Sequence, residues 1–157
     1  MISNSSCPGV QWYVDGAHTA ESISQCLEWF KRVQGMLSSP REKILVFGCQ
    51  NDKDPNKIFK AFKESGVHFN KVIFCPPGAK YPQEVSTEGT SWENKLKLLW
   101  EDFEMGSHDV RVLDDPNVAI AQVCAEQSQT NGSDVVVTGS LFLAGQAIQM
   151  LAPETLG

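Results

Sequence analysis

Short apolar runs rich in β-branched and aromatic residues recur along this chain, each followed by a segment whose apolar residues fall at helical spacing. The runs are Val10–Val14, Ile44–Phe47, Lys71–Cys75, Val110–Leu113 and Asp134–Thr138. A strand with one wet face alternates apolar and polar residues. Most of these runs do not, so they read as strands buried on both faces. Such strands need helices on each side, and a helix between successive strands lets neighbours run parallel. The expected fold is α/β: a Rossmann-like three-layer domain with a mostly parallel five- or six-stranded sheet and helices on both faces. The 157 residues suit one domain, 1–157.

Local signals mark the helix ends. Thr19 reads as an N-cap, with Glu21 in the first turn and Ile23, Cys26, Leu27, Phe30 and Val33 on one face. Gly35 closes that helix. Asp54 before Pro55 starts a second helix with Ile58, Ala61 and Phe62 inward and Gly66 beyond its end. Residues 78–91 read as a long polar loop. Trp92, Leu96, Leu99, Trp100 and Phe103 then mark an amphipathic helix, with Glu93, Lys95, Lys97 and Glu101 taken as its exposed face. Asp115-Pro116 repeats the cap-then-proline signal, and Gly139-Ser140 opens a last helix, Leu141 to Leu151, stopped by Pro153.

The formal net charge of -6 argues against a nucleic-acid binder, which needs a basic stripe, but not against a small anionic ligand. No apolar run approaches the roughly 20 residues of a membrane span. The first six residues lack the basic and apolar regions of a secretory signal. Five scattered cysteines, Cys7, Cys26, Cys49, Cys75 and Cys124, contain no C-x-x-C pair and read as free thiols in a reducing compartment. That places the chain in the cytoplasm, the mitochondrial matrix, or both.

Ligands of open α/β sheets gather outside the carboxyl ends of the strands. Asp15, His18, Asn51, Asp52, Lys53, Asp114, Asp115, Thr138 and Ser140 follow strands and belong to that edge; His68 and His108 precede strands and belong to the other. In Asp15-Gly16-Ala17-His18-Thr19, small residues let a ligand approach the backbone, and His18 opens a helix whose free N–H groups favour anions. The plain alternative is a turn whose Asp15 and Thr19 satisfy backbone donors. In Val137-Thr138-Gly139-Ser140-Leu141, a glycine turn and a hydroxyl at a helix start form a small anion cradle; Ser140 as a mere N-cap is the alternative. Cys49 and Cys75 end strands without an activating base and read as inert. The chain has no phosphate loop, no G-x-G-x-x-G and no G-x-S-x-G.

The segment Trp12-Tyr13-Val14-Asp15-Gly16-Ala17-His18-Thr19-Ala20-Glu21-Ser22, followed by Cys26 and Trp29-Phe30, resembles the start of the carboxy-terminal domain of eukaryotic folylpolyglutamate synthases. Val137 to Gly145 resembles that domain's closing signature, about 120 residues later, and Phe74-Cys75-Pro76 adds to the likeness. Asp-Gly-Ala-His alone indicates only the wider Mur ligase superfamily. The resemblance implies ATP-dependent addition of L-glutamate to the γ-carboxyl of a folate through an acyl phosphate. It implies that Asp15 binds ATP through the ribose, that His18 sits near the phosphates and the incoming glutamate as the catalytic residue, and that Ser140 binds that glutamate. Relatives often have tyrosine or histidine two residues after the serine; here Phe142 takes that substrate-binding position without the polar contact.

The resemblance also implies an amino-terminal ATPase domain, absent from this chain, as the partner that carries the phosphate loop and binds the magnesium ion. No metal site is expected in these 157 residues. Relatives carry a Pro-Gly-Arg element upstream, whereas here Pro8-Gly9-Val10 abuts the first strand. A monomer that binds ATP weakly and has no ligase turnover alone is expected. Two alternatives stay open: a dihydrofolate synthase or other Mur-type ligase, and a stand-alone nucleotide- or glutamate-binding module or pseudoenzyme.

Overall fold

The centre of the sheet is its most deeply buried strand, Ser133–Thr138, every residue of which is buried. In the computed structural model, which describes residues 2–3, 7–36, 41–78, 91–127 and 132–152, the elements in chain order are β1 (Ile2–Ser3), β2 (Val10–Val14), α1 (Ala20–Gln34), β3 (Glu42–Phe47), α2 (Pro55–Ser65), β4 (Lys71–Phe74), α3 (Trp92–Asp102), β5 (Asp109–Val112), α4 (Pro116–Gln127), β6 (Ser133–Thr138) and α5 (Leu141–Leu151). The strand order is β1-β2-β6-β3-β4-β5. Five strands are mutually parallel; β1 pairs antiparallel with β2, Ile2 opposite Trp12. Residues 79–90 of the expected polar loop, and Pro153, lie outside the described residues.

Side-chain alternation along the strands feeds two cores. Tyr13, Leu45, Phe47, Val72, Phe74 and Val136 pack with α1, α2 and α3. Trp12, Ile44, Val46, Ile73, Val135 and Val137 pack with α4 and α5. Both faces are therefore dry, which is why the strands carry so few polar residues. The first core is aromatic: Phe59 and Trp100 meet edge to face with centroids 5.2 Å apart, and Phe47 touches Phe59, Phe62 and Phe74. The expected caps are present. Thr19 accepts from the Ser22 amide in a capping box, Asp54 from the Asn56 amide, and Gly66 ends α2 at φ 77°. Gly35 ends α1 in ordinary right-handed conformation.

The edge strand β1 has no sequence signal, since two residues cannot show a period; it makes the sheet six-stranded, within the expected five or six. Two readings need correction. Glu93, placed on the exposed face of α3, is 3 % exposed, because the first turn of that helix faces the strand ends bearing Cys49 and Cys75. The expectation of free thiols holds for Cys26, Cys49 and Cys75, but Cys7 and Cys124 form a disulfide. They are 117 positions apart, and the crossover from β5 to β6 brings α4 back across the sheet to the segment ahead of β2. Among the described residues, no helix is long and apolar enough to cross a membrane.

Candidate functional site

Register aligns the carboxyl ends of three adjacent strands. Val14 lies opposite Val137, and Phe47 opposite Thr138, so the turns after β2, β6 and β3 leave the sheet side by side. The turn after β2 begins with the Asp15 amide donating to Val137 O (3.0 Å), one further rung of the ladder. Asp15 Oδ1 then accepts from the Ala17 amide at 2.9 Å, which bends the chain. Ala17 O accepts from the Gly139 amide at 2.9 Å and from Thr138 Oγ1 at 3.4 Å. One carbonyl thus fastens the histidine-bearing turn to the serine-bearing turn. The two motifs that the sequence separates share one rim of one parallel sheet.

Close approach of backbone explains the glycine between Thr138 and Ser140. Gly139 has φ 112°, a region side chains rarely adopt, and a Cβ there would lie 2.5 Å from Gly48 O and 3.0 Å from the Phe47 ring. Gly48 in turn donates to Thr138 O at 3.3 Å. The turn after β3 is so drawn against the turn after β6.

These three turns enclose an open cleft of about 160 Å³ lined by His18, Gln50, Lys53, Gly139, Ser140, Leu141 and Phe142. The volume is below the roughly 300–1,000 Å³ of sites that bury drug-sized ligands. It suits an amino acid or a single phosphate group rather than a whole nucleotide. His18 Nδ1 lies 3.0 Å from Gly16 O, a hydrogen bond that assigns the ring proton to Nδ1 and leaves Nε2 as the atom able to accept a proton. The His18 amide donates to Ser22 Oγ (3.1 Å), fixing the residue at the start of α1. Ser140 is 5 % exposed and caps α5, its Oγ accepting from the Phe142 amide at 3.0 Å. Its hydroxyl proton remains to donate. The amino end of α5 and the half-buried Lys53 supply positive charge to a cleft in a chain of net charge -6.

His18 and Ser140 are therefore brought together, with Phe142 on the same wall. Phe142 and its neighbour Leu141 are 66 % and 68 % exposed. Asp15 stands on the same rim but does not line the cleft; its carboxylate closes its own turn and lies against Cys26. Lys53 and Gln50 received no role from the sequence. The strand-end rule placed Lys53 on this edge, yet only the structure shows which residues of the β3–α2 loop turn inward. Among the described residues, no group of three or more His, Cys, Asp or Glu could hold a metal ion.

The cysteines near the rim are not nucleophiles. Burial pushes the thiols of Cys26, Cys49 and Cys75 up to about 12, as the reading of Cys49 and Cys75 as inert requires. The unfolded thiol titrates near 9.0, so the folded state keeps a proton that the unfolded state loses. The stability this contributes is complete below pH 9 and is lost as pH rises toward 12. Iodoacetamide at pH 8 should accordingly label these three only as fast as the chain unfolds. Rapid labelling of the native chain at any of them would contradict their burial.

Comparison with known proteins adds an independent line. The model of the family described as Mur ligase, glutamate ligase domain, matches residues 1–141. The folylpolyglutamate synthase of Candida albicans is 28% identical over 174 residues, covering 98% of this chain and 34% of that protein. That of Saccharomyces cerevisiae (strain YJM789) is 30% identical over 152 residues, covering 85% of this chain and 26% of that protein. A human relative named folylpolyglutamate synthase, mitochondrial, is 36% identical over 69 residues, 41% of this chain and 11% of that protein. The chain therefore spans about a third or less of the length of the curated relatives it matches. Among solved structures, the folylpolyglutamate synthase of Thermotoga maritima superposes with a TM-score of 0.63 at 24% identity, over 99% of this chain and 31% of that one. That of Mycobacterium tuberculosis, complexed with ADP and AMPPCP, gives 0.57 at 20% identity, over 90% and 29%. These likenesses show the fold.

Proposed function

Because the chain belongs to the Mur ligase glutamate ligase domain family, we propose that it is the carboxy-terminal, glutamate-holding domain of a folylpolyglutamate synthase. The observation that carries this reading is the bond from the Gly139 amide to Ala17 O, which sets His18 and Ser140 on one cleft. In the proposed reaction the amine of L-glutamate attacks a folate γ-carboxyl activated as an acyl phosphate, and phosphate leaves. The amine must lose a proton as the amide bond forms, and it must be held close to the acyl carbon.

The residues of this chain divide those tasks. Lys53, the Ser140 hydroxyl and the amino end of α5 take a carboxylate of the incoming glutamate. His18, its Nδ1 proton committed to Gly16 O, offers Nε2 to the amine nitrogen and to the phosphate side of the site. Asp15, on the rim at the end of β2, accepts from the ATP ribose through the carboxylate oxygen that does not serve Ala17. Phe142 forms an apolar wall. With Leu141 it also offers an exposed surface to the amino-terminal ATPase domain, which holds the phosphates of ATP and the magnesium ion. The residues of the cleft fit an anion, and no step of theirs passes through the metal. The proposed place of action is the cytoplasm or the mitochondrial matrix, and the name of the human relative, mitochondrial, supports the second.

A chimera tests this. This chain replaces the matching third of the Candida albicans relative, and folate-, ATP- and glutamate-dependent product is measured. Glutamate addition is expected, with the isolated chain inactive. His18→Ala should lower kcat/KM for glutamate about a hundredfold, as loss of a positioned proton acceptor does. Ser140→Ala and Lys53→Met should each raise the KM for glutamate about tenfold, as loss of one hydrogen bond to a charged group does. A folded but inactive chimera, or variants indistinguishable from the parent, would overturn the assignment.

A further inference from the structure

The motif that opens α1 carries a residue to which the proposed reaction gives no task. Ser22 is the third residue of that helix, where Glu or Gln stands in an ordinary capping box. Such a box needs two bonds, and both are present. Thr19 Oγ1 accepts from the Ser22 amide at 3.1 Å, and Ser22 Oγ accepts from the Thr19 amide at 3.0 Å. Ser22 Oγ also accepts from the His18 amide at 3.1 Å. That amide lies one residue ahead of the cap, so the third bond does nothing for the helix. The two amides fill the lone pairs of the Ser22 hydroxyl, and its proton goes to Thr19 Oγ1, 2.8 Å away, or to Thr19 O at 3.2 Å.

The third bond completes the hold on one peptide plane. The carbonyl of the Ala17–His18 peptide accepts from the Gly139 amide at 2.9 Å and from Thr138 Oγ1 at 3.4 Å, and the N–H of the same peptide is the one that Ser22 takes. A peptide unit is rigid, so bonds at its two ends fix its rotation as well as its place. The imidazole hangs on the next carbon, and its Nδ1 bond to Gly16 O at 3.0 Å fixes the ring only while that carbon is fixed. With the Ser22 hydroxyl removed, the peptide can pivot about its carbonyl bonds and carry the ring with it. We propose that Ser22 is a positioning residue for His18: its hydroxyl locks the Ala17–His18 peptide so that Nε2 meets the glutamate amine. This rests on the reading of His18 as the proton acceptor. Ser22 itself does not line the cleft and acts through the histidine.

The chemistry is sensitive to such a loss. A proton acceptor works within about 2.6–3.2 Å of the atom it serves, and a displacement of about 1 Å can cost about a hundredfold in rate. In the proposed reaction glutamate is held by Lys53, Ser140 and the amino end of α5, which stand on other turns. Removing the Ser22 hydroxyl therefore falls on kcat rather than on the KM for glutamate.

One arm of the test needs no turnover. In the isotopically labelled chain, the two ring nitrogens of His18 report the tautomer of the neutral imidazole. The parent should show a protonated Nδ1 and a bare Nε2. Ser22→Ala should draw the two nitrogen shifts toward each other and quicken exchange of the His18 amide about tenfold. Ser22→Thr, which keeps the hydroxyl, should restore both. Thr19→Ala is the control for the helix, because it removes a cap but leaves Ser22 Oγ on the His18 amide. It should lower the melting temperature by about 2–4 °C without moving the His18 nitrogens. In the Candida albicans chimera, Ser22→Ala should lower kcat about tenfold with the KM for glutamate unchanged, and Thr19→Ala should leave both in place. An inactive parental chimera would count against the ligase reading and leave the nitrogen shifts to decide the positioning. His18 nitrogens unmoved by Ser22→Ala, an unchanged kcat in an active chimera, or equal effects from Thr19→Ala would make Ser22 a helix cap and overturn the proposal.

Discussion

Arg41→Ala is expected to destabilise the folded chain by about 3–5 kcal/mol, the cost of leaving a buried charge without its partner. Asp134 lies in the central strand β6 with its side chain fully buried. Its Oδ1 accepts from Arg41 Nε at 3.0 Å, and Oδ2 accepts from Gln34 Nε2. Arg41 Nη2 also donates to Gly9 O and to Ser133 O, at 2.6 and 2.9 Å. One guanidinium therefore neutralises the interior carboxylate and fastens the amino ends of β2 and β6 beside β3, which begins at the next residue. Its planar fork makes these bonds together, which lysine cannot do.

Without Arg41, the carboxylate keeps Gln34 and the Tyr13 phenol beside it but no guanidinium. The melting temperature should fall by about 10 °C, since about 2–4 °C accompany each kcal/mol in a domain of this size. The double variant Arg41→Ala/Asp134→Asn should recover part of the loss, because the residual cost is hydrogen bonds rather than a stranded charge. The Asp134 charge also helps burial hold the Tyr13 phenol above its ordinary value, so Asp134→Asn should move the tyrosine titration downward. Urea unfolding that finds Arg41→Ala within 1 kcal/mol of the parent would contradict this view of the sheet's amino edge.

Gly139→Ala should cost about 3 kcal/mol, from two sources. A non-glycine residue at φ 112° is strained by about 1–3 kcal/mol, and a methyl group forced against Gly48 O and the Phe47 ring adds about 1–3 kcal/mol of overpacking. The obstacles are backbone and a core ring, neither able to swing aside. Gly16→Ala is the informative contrast. Its new methyl would meet the side chain of Leu141, which is 68 % exposed and free to turn away, so a loss under about 1 kcal/mol is expected. If the two substitutions cost the same, the close approach of the three turns is not what constrains Gly139.

The strands were legible because burial on both faces leaves a one-dimensional mark: β-branched runs such as Val135–Val137 without polar interruption. Caps were legible because Thr19, Asp54 and Asp115 act on amides two or three residues away. The site was legible as far as a strand-end rule reaches. His18 and Ser140 follow strands, and a parallel sheet puts strand ends on one rim. What joins distant positions left no local mark. Arg41 meets Asp134 across 93 positions, and Cys7 meets Cys124 across 117. Strand order decides both, and order is not written in any single run. Glu93 misled for a related reason: its helix neighbours Asn94 and Lys95 are exposed, and only packing of the first turn against the rim shows that Glu93 is not. Lys53 was visible as a residue on the correct edge but not as a wall of the cleft.

The central claim is that the turns carrying His18 and Ser140 act as one ligand site. Titration of the isotopically labelled chain with L-glutamate, followed by amide chemical shifts, tests it directly. The account predicts that the amides of Ala17, His18, Gly139, Leu141 and Phe142 shift together along one binding curve. That curve should move to about tenfold higher glutamate in Ser140→Ala and in Lys53→Met while the rest of the spectrum stays in place. Shifts confined to one of the two turns, or two turns following different curves, would contradict it.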